Sequence, residues 1–197
     1  MKDEQVKELL YQALETELGG VQVYTTALRC VENDELKEEW EEYLEQTQQH
    51  VQIVQHVLSR LGLDPNEETP GRKVVRHIGG ALVESMEMAL NEGEPGAAQL
   101  VATEAVVLAE TKDHQNWHLI GEIIKNAKGE LAKALKDAHD QIEPEEDEHL
   151  YHTKGWSREL WIESLGMKAV LPPPEEVKDV QTAIGAARAE QARGQMH

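Results

Sequence analysis

The sequence is poor in several residue types, and each scarcity excludes a class of protein. It has no phenylalanine and one cysteine, Cys30, so it forms no internal disulfide and no cysteine-based zinc knuckle. Its 19 basic side chains face 38 acidic ones, a formal net charge of −19. Nucleic acid and anionic membranes bind cationic surfaces, so we expect neither as a partner. No basic and apolar leader and no apolar run of roughly 20 residues is present, which favours a cytoplasmic protein.

The residues that are abundant favour helix. Ala, Leu, Glu, Gln and Lys dominate, and apolar positions recur every three or four residues. The spacing predicts helices over residues 3–30, 34–61, 72–91 and 97–127, and a last long helix that follows the turn AKGE and reaches Trp156. Asp3 is the expected N-cap of the first helix, and Pro144 is expected to kink the last one. The four tryptophans are expected in the core.

The turns between these helices predict an all-α four-helix bundle over residues 1–165. Short turns make two antiparallel hairpins, and the helix over 72–91 is inserted between helices 2 and 3 of the bundle as a crossover. Residues 166–197 form a C-terminal extension, a Pro-rich linker and an Ala-rich tail. The tail is either a loose helix against a partner subunit or disordered. The apolar crossover helix and the tail lead us to expect a homodimer.

Ionisable side chains interrupt the apolar stripe of every long helix of the expected bundle. They are Glu17 on the first, His50 on the second, Glu110 and His114 on the third, and Glu146 and His149 on the fourth. A buried carboxylate costs several kcal/mol unless it is paired or bound to a metal. Carboxylates and imidazoles at similar depth on four helices therefore predict a metal site, and this mixture of ligands suits Fe or Mn.

The spacing within two helices supports a shared site. Glu146 and His149 are three residues apart and lie on one helical face. Asp113 and His114 follow Glu110 at three and four residues, so both are candidate ligands. Glu104 is the alternative to Glu110, because it lies beside the apolar stripe of the same helix.

These motifs resemble the ferritin-like di-metal carboxylate proteins, and the rubrerythrins in particular, over roughly residues 1–155. The pattern of that family is Glu on the first and third bundle helices and Glu-x-x-His on the second and fourth. The stretch ALETELGGVQVY is similar to the first rubrerythrin helix, with a tyrosine seven residues after the ligand. The resemblance implies that Glu17 and Glu110 are single ligands, that Glu146 and His149 are the fourth-helix pair, and that Asp113 is the extra rubrerythrin carboxylate.

The resemblance also implies a chemistry, with one departure. A di-iron or di-manganese centre would react with dioxygen or peroxide, and Tyr24 would serve as an electron donor or a partner of the ligands. The second helix, however, reads TQQH, so Thr47 stands where the family has a bridging carboxylate. The cysteine module of typical rubrerythrins is missing, so an external electron donor would be needed. Whether the site holds one ion or two is therefore left open.

Two other functions remain alternatives. The first is metal binding without redox turnover, which Thr47 favours because a missing bridging ligand affects redox chemistry before it affects binding. The second is a metal-free helical interaction protein with a solvated acidic surface. Each ligand candidate also has an ordinary explanation when taken alone, because stray Glu residues are common in an acidic chain and core histidines are often only hydrogen-bonded.

Overall fold

The computed structural model describes residues 2–195, and these are helical apart from short connections. The helices are α1 (Asp3–Cys30), α2 (Asp34–Arg60), α3 (Pro70–Glu92), α4 (Pro95–Asn126), α5 (Gly129–Ser164), α6 (Pro174–Val177) and α7 (Ala183–Ala192), followed by a 3-10 turn (Arg193–Gln195). No strand occurs within this range, which confirms the all-α prediction. Residues 196 and 197 of the expected tail, like residue 1, lie outside the described range. None of the described helices has an apolar stretch long enough to cross a membrane.

Local sequence explains where the helices begin and end. Asn33 accepts a hydrogen bond from the backbone of Leu36 at the start of α2, and Thr69 caps α3 with Pro70 in its first turn. This cap starts α3 two residues before the predicted position 72. Asp3 was wrongly assigned as an N-cap, because it lies inside the first turn and its carboxylate faces the positive end of the helix. α5 is one helix through Pro144 and ends eight residues beyond Trp156.

Contacts between helices show which elements are neighbours and how they run. α1 packs against α2, α3 and α4, and α5 packs against α2 and α4. Glu17 on α1 faces both His50 on α2 and Trp117 on α4, while Tyr24, about two turns later, contacts Trp40. The opposite order of these positions makes α1 antiparallel to α2. α3 runs along the outside, in contact with α1 and α4.

The buried apolar residues form two main clusters with a polar layer between them. One contains Tyr24, Trp40 and Trp156, and the other contains Leu14 and Trp117. Trp161 was wrongly expected in the core, because it is 39% exposed. Five residues past Trp156, it lies well over a third of a turn away from the buried face of α5.

The segment after Gly166 packs on α5 of its own chain. The carboxylate of Glu175 is buried and accepts two hydrogen bonds from Arg158, at 2.7 and 2.8 Å. Glu159, fully buried, accepts from Nε of Arg193 at 2.6 Å and from the backbone N–H of Val170 at 2.9 Å. These charged pairs hold α6 and the end of α7 against the side of α5.

Candidate metal centre

The polar layer between the two apolar clusters contains five of the predicted ligands. Glu17 comes from α1, His50 from α2, Glu110 from α4, and Glu146 and His149 from α5. All five side chains are buried. Their ligand atoms form two groups of three, and Glu146 belongs to both. The arrangement therefore offers two adjacent positions for an ion, with one carboxylate shared between them.

The first group joins α1, α2 and α5. Nδ1 of His50 lies 3.0 Å from Oε1 of Glu146 and 3.5 Å from Oε2 of Glu17. The other oxygen of Glu17 accepts a hydrogen bond from the indole nitrogen of Trp117 at 3.1 Å. That bond fixes the carboxylate and leaves Oε2 facing His50.

The second group joins α4 and α5. Nδ1 of His149 lies 3.6 Å from Oε1 of Glu146 and 3.8 Å from Oε2 of Glu110. The same Glu146 oxygen thus faces both imidazoles, whose rings stack with centroids 5.9 Å apart. The two groups thus lie side by side and share the carboxylate of Glu146.

Each imidazole is held by its other nitrogen. Nε2 of His50 lies 2.6 Å from Oε2 of Glu145, and Nε2 of His149 lies 2.7 Å from the amide oxygen of Gln46. Such a bond places the hydrogen on Nε2 and directs Nδ1 inward, as partners of metal-bound histidines do. Gln46 and Glu145 were not predicted as site residues. Their positions directly before Thr47 and Glu146 were the available signal.

Several polar atoms of the layer have no partner among the described residues. They are Oε2 of Glu17, Oε2 of Glu110, Oε2 of Glu146, Nδ1 of His50 and Nδ1 of His149. Buried polar atoms are nearly always hydrogen-bonded, and a concentration of exceptions requires an explanation. Nδ1 of His50 is 3.5 Å from Oε2 of Glu17, and Nδ1 of His149 is 3.8 Å from Oε2 of Glu110, but neither pair is hydrogen-bonded. Their arrangement suits the coordination of two cations better than it suits hydrogen bonding among these atoms.

Burial and mutual charge perturb the titration of the layer. Burial, with the charge of Glu146, raises the pKa of Glu17 to about 7, and the same causes raise the pKa of Glu110 well above its usual value. Burial opposes ionisation of Glu146 as well, but the nearby imidazoles of His50, whose Nδ1 lies 3.0 Å away, and of His149 outweigh it and lower that pKa. Burial lowers the pKa of His149 to about 4, so that ring is neutral at pH 7.

Two further predicted residues lie at the edge of the layer. Asp113 is buried, and burial, with the charges of Glu17, Glu146 and Glu110, raises its pKa well above its usual value. It belongs to neither group of three. The hydroxyl of Tyr24 is buried and has no hydrogen-bond partner within residues 2–195, and its ring lies edge-on to His149 with centroids 6.0 Å apart.

The remaining predicted positions resolve differently. The structure does not bring His114 into the layer, because its Nε2 pairs with Oδ1 of Asp147 at 2.9 Å and the side chain is partly exposed. Glu104 is exposed and Glu110 is buried, which decides between these two alternatives. Thr47 is buried, and its hydroxyl donates to the carbonyl of Tyr43 within α2. The second helix therefore supplies an imidazole to the layer but no carboxylate.

Comparisons of the chain with models of protein families, with curated proteins and with solved structures found no match. The geometry of the polar layer is therefore the basis for assigning a function.

Proposed function

We propose that this chain is a ferritin-like carboxylate protein that binds two Fe or Mn ions between its long helices. One ion would be held by Glu17, His50 and Glu146, and the other by Glu110, His149 and Glu146. The observation that carries the proposal is the sharing of Glu146 by two groups of ligand atoms whose members lie within 4.8 Å of one another. In this proposal α1, α2, α4 and α5 are the four-helix bundle and α3 is its crossover helix.

The charges of the layer support two divalent ions. Two such ions carry four positive charges, and Glu17, Glu110, Glu146 and Asp113 supply four negative charges when ionised. Without cations, burial and repulsion raise the pKa of three of these carboxyl groups. Binding would thus replace protons by metal, as metal sites commonly do.

The chain's own residues define what such a site can do. A bound pair of Fe or Mn ions supplies redox chemistry with dioxygen or peroxide. The two apolar clusters keep bulk water from both sides of the layer. Tyr24 brings a buried phenol beside His149, in a position to pass an electron or a proton. Because the chain contains only one thiol, an external electron donor would be needed for turnover.

Binding without turnover is the second candidate, and Thr47 favours it. The Thr47 hydroxyl is occupied by a backbone carbonyl, so α2 contributes no bridging oxygen. Mixing Fe(II)-loaded protein with dioxygen in a stopped-flow spectrometer separates the two candidates. Oxidation much faster than that of free Fe(II) supports the redox function, and oxidation at the free rate supports sequestration.

The metal content of purified and reconstituted protein tests the proposal. Wild type should hold at least two ions per chain by plasma mass spectrometry. Glu17→Gln and Glu110→Gln should each weaken one position, and Glu146→Gln should weaken both because its carboxylate is shared. Glu143→Gln, one turn before Glu146 on α5, is the control and should keep both ions.

Two results would refute this assignment. One is wild-type protein that binds neither Fe nor Mn after reconstitution, which would favour the metal-free interaction protein. The other is a Glu146→Gln variant that folds normally and keeps both ions.

The homodimer stays a prediction. Its support is a set of exposed apolar side chains on α3 and α4. They are Val74, Ile78 and Met88 on α3 and Leu108 on α4. Exposed apolar surface of this kind commonly marks an interaction site. Sedimentation equilibrium over a hundredfold concentration range would give the mass in solution, and a mass of 22.2 kDa throughout would contradict the dimer.

A further inference from the structure

A further set of three side chains of metal-ligating type lies outside the polar layer. It joins Glu39 on α2, His152 on α5 and Glu176 on α6, whose ligand atoms all lie within 4.8 Å of one another. Nδ1 of His152 is 3.2 Å from Oε1 of Glu39 and 3.2 Å from Oε2 of Glu176. Three separate parts of the chain therefore direct an imidazole and two carboxylates to one point.

The group has more acceptors than hydrogens. Nδ1 of His152 faces both carboxylates and also the hydroxyl of Tyr43 at 3.2 Å, but it carries at most one hydrogen. The Tyr43 hydroxyl donates its own hydrogen to Glu39, whose second oxygen accepts from the indole of Trp156 at 2.6 Å. Oε2 of Glu176 is buried and has no hydrogen-bond partner in the described part of the chain.

The group is buried on one side and open on the other. The side chains of His152 and Glu39 are 7% and 9% exposed, whereas that of Glu176 is 33% exposed. His152 is thus more than nine-tenths buried, directed into the group, and without a partner at Nε2. An ion can reach the group past Glu176 without passing through the bundle.

We propose that Glu39, His152 and Glu176 form a further binding site for one divalent transition-metal ion, which fastens α6 to α2 and α5. Two carboxylates and one imidazole are a donor set that Zn, Mn and Fe accept, with a coordination position left for water or the Tyr43 hydroxyl. Only Glu176 belongs to the C-terminal extension, so the ion would bind when that segment is docked and would stabilise docking in return. This site does not depend on the proposed function of the polar layer.

Equilibrium dialysis with Zn(II) or Mn(II) on the full-length chain tests the site. Wild type should bind one ion more than Glu176→Gln, which should lose at least about tenfold in affinity at this position, the lower range for disturbing a metal site. Glu38→Gln is the control, since Glu38 is exposed on α2 next to Glu39. Glu39→Gln keeps an oxygen for Trp156 and is the second variant, in case Glu176→Gln disturbs the fold.

Glu110→Gln separates this site from the layer. If both sites exist, Glu110→Gln weakens metal binding in the layer and leaves the one bound ion per chain that depends on Glu176. If the layer binds no ion, the difference between wild type and Glu176→Gln still remains. A Glu176→Gln and a Glu39→Gln chain that bind as many ions as wild type, with equal affinity, would overturn the site and leave a protonated His152 between two carboxylates.

Proteolysis gives an independent readout of fastening. Lys178 is exposed one residue after the end of α6, so trypsin can cleave there when the segment opens. A free ion at 100 times its dissociation constant should slow that cleavage about 100-fold in wild type and in Glu38→Gln. Equal protection in Glu176→Gln, or no protection in wild type, would contradict the proposal.

Discussion

Replacing Glu17 by Gln should stabilise the metal-free protein while it weakens metal binding. The pKa of this carboxyl is about 7 in the folded chain, against an ordinary value of 4.5, because burial and the charge of Glu146 oppose its ionisation. A tenfold change in proton affinity is worth roughly 1.4 kcal/mol, so ionised Glu17 lowers the free energy of unfolding by about 3 kcal/mol at pH 8. Glutamine removes this cost and keeps the oxygen that accepts from Trp117.

The sign of the effect follows from proton binding. Between pH 4.5 and 7 the folded chain holds a proton on Glu17 that the unfolded chain has lost. The free energy of unfolding of wild type therefore falls as pH rises through that interval, and this contribution is constant above it. The advantage of Glu17→Gln should vanish near pH 4.5 and reach its full size at pH 8.

Thermal melts of chelator-treated protein, followed by circular dichroism, measure this advantage. For a chain of this length 1 kcal/mol moves the midpoint by roughly 2–4 °C, so Glu17→Gln should melt about 6–12 °C higher at pH 8. Mn(II) at 100 times its dissociation constant should add about 2.7 kcal/mol to wild type through the position that contains Glu17, and the variant should lose that increment. Glu104→Gln, an exposed position on α4, should change neither melt.

A metal-free Glu17→Gln variant that melts below wild type at pH 8 would contradict this prediction. That result would mean that the Glu17 carboxylate stabilises the fold by itself and is no reserved ligand. An equal rise in both melting midpoints on adding Mn(II) would likewise remove Glu17 from the ligand set.

Three further predictions address the same layer. Affinity for Mn(II) should rise with pH through about 7, because Glu17 must release its proton on binding; calorimetry in buffers of different ionisation enthalpy counts the protons released. Thr47→Glu should add a carboxylate on α2 and speed Fe(II) oxidation in stopped flow, and an unchanged rate with two ions bound would show that a second bridging oxygen is not limiting. Tyr24→Phe should keep the metal content of wild type, since its hydroxyl has no partner, and should slow oxidation if the phenol passes an electron.

Helical periodicity predicted the five long helices and, on four of them, the side that carries the buried ionisable residues. Glu17, His50, Glu146 and His149 could be selected because each interrupts an apolar stripe, and a buried ionisable residue is costly enough to be informative. Glu110 needed the structure to exclude Glu104, because neighbouring positions on one helix differ in exposure only once its rotation is known.

The partners of the ligands could not be read in the same way. Gln46 and Glu145 lie in polar runs where every residue looks solvated, and only the packing of α2 against α5 brings them to the imidazoles. His114 shows the opposite error. It follows Glu110 by four residues, which places it near the same face of α4. Its imidazole instead pairs with the carboxylate of Asp147 on α5.

The spacing of apolar residues could not predict the docking of the C-terminal extension either. α6 is four residues long and has no apolar stripe, and its position comes from charge: Glu175 is held by Arg158, and Glu176 faces His152. Glu175 and Glu176 are adjacent, yet one meets a guanidinium and the other meets an imidazole that already faces Glu39. Two ionised carboxylates around one imidazole leave one negative charge unbalanced even when the imidazole is protonated, and a second proton or a metal ion must supply the balance. A metal ion would make the folding of this segment depend on metal supply, whereas a proton would make it depend on pH alone.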